Sequence, residues 1–110
     1  MEDSMLTKRL REQQEDHAIR ISKLILWANE QGIKIAKGDG FRDPRVHGEF
    51  GEKKAYGHTY SCHKLKLADD LYINDVSHHV KMHDKWDELG GAKRLLHDMN
   101  HYSSGYGKYI

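Results

Sequence analysis

The sequence predicts an α+β fold, a small antiparallel sheet with helices packed on one side. Three observations point there. A long N-terminal stretch carries apolar residues at three- and four-residue steps, the signature of an amphipathic helix. Shorter stretches further on alternate apolar and polar residues, as half-buried strands do. The whole chain is 110 residues, room for one core, so these elements are expected to share a single domain spanning residues 1–110.

The first helix is expected over residues 4–31. Leu6, Leu10, Ile21, Leu24, Ile25 and Ala28 form its stripe, which thins between Arg11 and Asp16. Ser4 is read as the N-cap, and Gly32 stands where a glycine ends a helix. Ile33-Lys34-Ile35-Ala36 alternates as a short strand. From Gly38 to Tyr60 the chain carries five glycines, its single proline (Pro44) and many charges. That composition reads as a long loop, and long loops in small domains are usually functional. A half-buried strand is expected from about Lys64 to Ile73. A helix is expected from Val80 to Leu89, with Met82, Trp86 and Leu89 on one side and Gly90-Gly91 ending it. A helical turn over Ala92–Leu96 and a final strand over Tyr102–Tyr109 complete the reading.

Composition narrows the function classes. Hydrophobic residues make up 37% and charged residues 32%, with a mean hydropathy of −0.87. So polar a small domain gains from a bound metal or ligand. A formal net charge of +1 does not describe a general nucleic-acid binder. Cys62 is the only cysteine, which rules out an intrachain disulfide. Met1-Glu2-Asp3-Ser4 lacks the basic and apolar regions of a secretory signal, and no run approaches the ~18 apolar residues of a membrane span. The expectation is a chain made in the cytoplasm, without membrane insertion.

Nine histidines are many for this length, so position matters more than number. His63 and Asp70 are seven apart. An odd offset on a straight strand places two side chains on opposite faces, so His63 is expected before the regular strand or at a bend. Asp98 and His101 are three apart, which in a helix or turn brings their side chains together. Two imidazoles and a carboxylate can close a metal site, and a second carboxylate can serve as a base beside it. His58, five before His63, is the reserve ligand, while His78, His79, His83 and His97 are read as non-ligands. Cys62 is read as buried, and Met82 and Trp86 as core. Gly38-Asp39-Gly40 lacks the context of a phosphate loop and is read as a turn.

The run Ser61-X-His63-X6-Asp70, with Ala68 two before the aspartate, resembles the Ser-X-His-X-X-Gly-X-Ala-X-Asp signature of the D-alanyl-D-alanine carboxypeptidase family. Phage members of that family are L-alanyl-D-glutamate endopeptidase endolysins. His97-Asp98-Met99-Asn100-His101-Tyr102-Ser103 is similar to the family's second motif, an acid-X-X-His followed by an aromatic. Gly40-Phe41-Arg42 is similar to its Gly-Tyr-Arg segment, and Leu89-Gly90-Gly91 to its Leu-Gly-Gly stretch. The likeness runs in order from about Ile33 to Tyr102. Two positions depart from the pattern: Lys66 replaces the signature glycine, and Asp98 stands where Glu is common.

The resemblance implies a fold of the hedgehog and D,D-peptidase type, with zinc at the sheet's edge held by His63, Asp70 and His101. It implies Asp98 as general base and Arg42 as the contact to substrate or transition state, with Ser61 or Asn100 supplying supporting hydrogen bonds. The implied activity is hydrolysis of peptidoglycan stem peptides at the L-alanyl-D-glutamate bond. The enzyme would be a monomer held in the host bacterial cytoplasm until a holin-type factor releases it to the wall. Two alternatives share these motifs. One is a D,D-carboxypeptidase or dipeptidase releasing terminal D-alanine, the other a non-catalytic zinc-stabilised binding module.

Overall fold

The stripe that thins in the sequence of the first helix is continuous in three dimensions. The computed structural model describes residues 2–43 and 58–110, residues 2–8 by their backbone alone. Helix α1 spans Glu2–Glu30, and its inward positions are Leu10, Gln14, His17, Ile21, Leu24 and Ala28, spaced by alternating steps of four and three. Gln14 and His17 fill the gap with polar side chains that find partners on the sheet side. Gln14 Nε2–H donates to the Leu65 carbonyl at 2.8 Å. Gly32, with φ of 77°, adopts the left-handed conformation that ends the helix without a Cβ clash.

Strands β1 (Ile35–Lys37), β2 (Ala68–Ile73) and β3 (His101–Ser103) form an antiparallel sheet in the order β1-β2-β3. Helix α2 spans His78–Glu88. One face of the sheet presents Ile35, Leu71, Ile73 and Tyr102, which pack against Ile21, Leu24 and Ala28 of α1 and Met82 and Trp86 of α2. Both helices therefore cover the same face. Leu24, Leu71, Met82, Trp86 and Tyr102 are fully buried, and each such side chain contributes roughly 1.5–3 kcal/mol. Gly90 ends α2 at φ of 92°, and Gly91 lies flat on the Trp86 indole, where a Cβ would collide with the ring. The Leu-Gly-Gly stretch is thus a chain reversal followed by a close approach.

Several expected boundaries differ. The stretch from Lys64 does not begin as a strand. Cys62–Leu65 is a 3-10 turn capped by Ser61, and the strand starts at Ala68. His63 therefore precedes the regular strand, as its odd offset from Asp70 requires. Strand β1 lies later than Ile33–Ala36 because Ile33 is still tied to the helix end through its N–H to the Ala28 carbonyl. No helical turn forms over Ala92–Leu96. Ala92 N–H instead bonds the Ser103 carbonyl at 2.8 Å, which draws that segment out along β3. The final strand stops at Ser103, because Gly105 and Gly107 have positive φ, and only an isolated bridge joins Tyr106 to Tyr109. Of the loop from Gly38 to Tyr60, residues 44–57 lie outside the described residues.

Candidate metal centre

Asp70 is on the middle strand and pairs in register with His101 on β3. Cross-strand partners share a face, and this pair sits where the strands do not bond each other directly. Leu71 N–H goes to the Asn100 carbonyl, while Asp70 N–H goes to Asp39. Side chains come closest at such positions. Alternation puts Asp70 and His101 on the face away from α1 and α2, over the pair formed by the middle strand β2 and the edge strand β3. The 3-10 turn then brings His63 across to them.

The three side chains are buried, and each offers a ligand atom to one small volume. His63 Nε2 is 3.1 Å from Asp70 Oδ1 and 3.2 Å from His101 Nδ1. His101 Nδ1 is 3.8 Å from Asp70 Oδ1. Ligand atoms of a tetrahedral zinc-like ion lie about 3.3–3.6 Å apart. The His63 tautomer follows from its other nitrogen. Nδ1 is 2.6 Å from the Gly40 carbonyl, which can only accept, so Nδ1 carries a proton, and Nε2 is left to donate to Asp70 when protonated or to offer its lone pair to a metal ion. His101 Nε2 is buried with no hydrogen-bond partner, which leaves this ring oriented by what its Nδ1 faces. Burial alone would raise the Asp70 pKa, but hydrogen bonds and charge from His101 and His63 outweigh it and hold the carboxyl well below its usual range. Two imidazole nitrogens and an ionised carboxylate at these separations can hold a divalent metal ion.

Arg42 joins this group. Its backbone N–H bonds the His63 carbonyl at 3.0 Å, its Nη1 donates to Ser61 Oγ at 3.2 Å, and its Nη2 is 3.7 Å from Asp70 Oδ2. Ser61 Oγ also accepts the His63 N–H at 3.2 Å. Ser61 thus fixes the backbone of one candidate ligand and the guanidinium beside another. Asp98 heads a turn whose carbonyl accepts the His101 N–H at 3.0 Å. Its carboxylate is exposed and makes no hydrogen bond or ion pair among the described residues.

His58 stays out of the cluster and caps a local turn by accepting the Tyr60 N–H at 3.0 Å. Cys62 faces a second apolar cluster with Leu65, Leu67 and Ala68, and burial pushes its thiol pKa up. Two supporting roles escaped the sequence reading. His83, stacked on Tyr102 at 4.1 Å between centroids, donates from Nε2 to the Met99 carbonyl at 2.8 Å, inside the turn that carries Asp98 and His101. His17 bonds Asp69 Oδ2 at 2.9 Å and Ser104 Oγ at 2.6 Å beneath the sheet. The signal for His17 was its place on the apolar stripe of α1. His83 gave a similar signal through its step of three to Trp86 on α2.

Comparisons with family models, with curated proteins and with solved structures find no match for this chain.

Proposed function

We propose that the protein is a zinc-dependent peptidase that hydrolyses peptidoglycan stem peptides, at the L-alanyl-D-glutamate bond, in the manner of the phage endolysins that its motifs resemble. The observation that carries this reading is the convergence of His63 Nε2, Asp70 Oδ1 and His101 Nδ1 within 3.8 Å of one another. These residues were singled out by motif order, from segments far apart in the chain. The backbone at Lys66 adds support. Lys66 is the only described residue other than glycine with a positive φ, at 59°, and it occupies the glycine position of the signature. The turn between the first two ligands thus has the conformation for which that glycine is suited. The absence of a fourth protein ligand among the described residues also suits a catalytic ion, which keeps a position for water or substrate.

In this reading His63, Asp70 and His101 hold the ion. Bound there, zinc supplies Lewis-acid polarisation of the scissile carbonyl and lowers the pKa of water toward ~7. Asp98, on the turn that ends at His101, accepts the proton of the attacking water and returns it to the departing amine. Arg42 lies beside Asp70, with Nη2 3.7 Å from Oδ2, and its guanidinium offers donors to the oxyanion that develops during attack. Ser61 and the Gly40 carbonyl fix Arg42 and His63 in these roles.

Digestion of Gram-negative-type peptidoglycan by the zinc-loaded protein, read by mass spectrometry, tests the proposal. The expected products carry new N-terminal D-glutamate without new reducing sugar ends. Release of D-alanine alone would assign a carboxypeptidase. Stoichiometric zinc with no cleavage would assign a metal-stabilised binding module.

A further inference from the structure

His63 and His101 lie 38 residues apart in the chain, yet a short stretch joins them by a second route. Residues 104–110 leave β3 just after His101 and return to the 3-10 turn that carries His63. Their sequence, Ser-Gly-Tyr-Gly-Lys-Tyr-Ile, accounts for the path. Gly105 and Gly107 have φ of 74° and 55°, which lets the chain reverse at little steric cost. Tyr106 and Tyr109 exchange main-chain hydrogen bonds across Gly107 and Lys108, at 3.4 and 2.9 Å. Both tyrosines pack against the apolar cluster that contains Cys62 and Leu65 of the turn.

The stretch is tied down at both ends. At its start the Ser104 N–H donates to the Leu67 carbonyl at 2.8 Å, and Ser104 Oγ accepts from Arg20 Nη1 at 2.7 Å and bonds His17 Nδ1 at 2.6 Å. At its end the Ile110 N–H donates to the Tyr60 carbonyl at 2.9 Å, and the Ile110 main-chain oxygen accepts the Cys62 N–H at 2.6 Å. These two bonds flank Ser61 as one rung of a parallel ladder would. Ser61 is buried, and its Oγ accepts from the His63 N–H and from Arg42 Nη1, each at 3.2 Å. Ile110 therefore holds the residue that holds the first candidate ligand.

We propose that residues 104–110 are a strap that positions Ser61 and His63 for the metal ion, with Ile110 as the positioning residue that acts through Ser61. Asp70 and His101 are fixed to each other by strand register. His63 stands on a four-residue turn off the sheet, and the strap ties the start of that turn to the strand bearing His101. With the strap loosened, His63 has to be ordered at the moment of binding, and that cost comes off the metal affinity. The proposal rests on the metal reading of the cluster and not on which bond is cut.

The test sets Gly107→Val against Gly107→Asn. A Cβ on Gly107 would meet no described atom within 4 Å, so the two variants differ in how they tolerate a positive φ, which asparagine accepts and a β-branched residue resists. Zinc affinity is read by competition with a chelator, and stability from the melting temperature of the metal-free protein. Zinc should bind roughly tenfold more weakly to Gly107→Val, the low end of what losing a supporting contact costs a metal site. Gly107→Asn should stay near wild type. Ile110→Pro, which removes the N–H at the far end of the strap, should weaken zinc as Gly107→Val does. The metal-free melting temperatures should change little. Unchanged affinity in Gly107→Val or in Ile110→Pro overturns the proposal. So does an equal loss in Gly107→Asn, or a loss that comes only with unfolding of the metal-free protein. If the wild type binds no zinc, the metal reading is what fails, and the strap is decided by amide hydrogen exchange in the metal-free protein. Faster exchange at Cys62 and His63 in Gly107→Val, with Leu71 unchanged, supports it. Unchanged exchange at Cys62 and His63 overturns it.

Discussion

Asp69 and Asp70 are neighbours on β2, chemically identical and both buried, yet they do opposite things. Strand alternation sends them to opposite faces. Asp69 turns toward α1 and meets a complete set of partners, Lys37 on one oxygen and His17 on the other, with the far nitrogen of His17 closed by Ser104. It is an internal ion pair with its hydrogen bonds made. Asp70 turns the other way and meets two imidazoles whose cluster-facing nitrogens lie only 3.2 Å apart, an arrangement that a shared cation completes. A carboxylate whose partners satisfy one another stabilises a fold. One that meets two imidazole nitrogens, each able to give up its proton, is equipped to bind an ion.

The largest expected effect falls on the metal face. Asp98→Ala should lower turnover by roughly 10²–10⁴-fold, the worth of a placed base, while zinc content and melting temperature stay near wild type. Wild-type turnover in that variant would show that the carboxylate only shapes its turn.

The next prediction separates the two aspartates directly. Asp70→Ala should abolish stoichiometric zinc as read by metal analysis. Asp69→Ala should keep zinc but lose about 3 kcal/mol in a denaturant titration, because it strands Lys37 and His17 without their acceptor. Zinc retained in Asp70→Ala, or lost in Asp69→Ala with the fold intact, would reverse the assignment of the two faces.

Acid should act in two stages. Burial lowers the pKa of His79 and His83, so the unfolded chain takes up protons that the folded chain refuses. Their contribution is fully present above the ordinary histidine value of ~6.5 and is lost as pH falls from there toward the depressed folded values. Asp69 and Asp70 have pKa values below the ordinary ~3.9, so their contribution is lost only at lower pH still. Melting temperatures followed downward from neutral pH should therefore fall first in the histidine range, and His83→Gln should flatten that first stage alone.

The smallest expected effect is a gain. Lys66→Gly relieves the left-handed strain and should raise stability by roughly 0.5–1 kcal/mol. Stability unchanged or reduced would mean that the contact of the Lys66 ammonium with the Phe41 ring offsets the backbone cost.

Much of the core was legible from local pattern. The stripe of α1, the Met82 and Trp86 positions of α2 and the alternation of β2 follow from periodicity, because burial imposes the period of the backbone on the side chains. The order and spacing of His63, Asp70, Asp98 and His101 drew attention to a metal group that the fold does bring together for three of the four. Strand ends were less legible. Whether Lys64-Leu65 extends or coils, and whether Ala92–Leu96 coils or follows β3, depends on which backbone groups lie across the gap, and no local sequence records that.

The sequence by itself determined which residues could ligate a metal, that His63 had to stand off the strand bearing Asp70, and which apolar side chains would meet. The motif spacing chose Asp70 over Asp69, and the tertiary structure supplied the reason, since alternation along β2 turns Asp69 toward α1 and Asp70 toward the histidines. Only the tertiary structure decided that His17 and Gln14 complete an apolar stripe with polar side chains, and that Lys66 takes a glycine's conformation. The partners of Gln14 and His17 lie more than fifty residues away in the chain. The physical reason is the same for the aspartates and for the polar residues of α1. A buried polar group is tolerated only where its hydrogen bonds are completed, and the completing groups are chosen by packing rather than by neighbours in sequence.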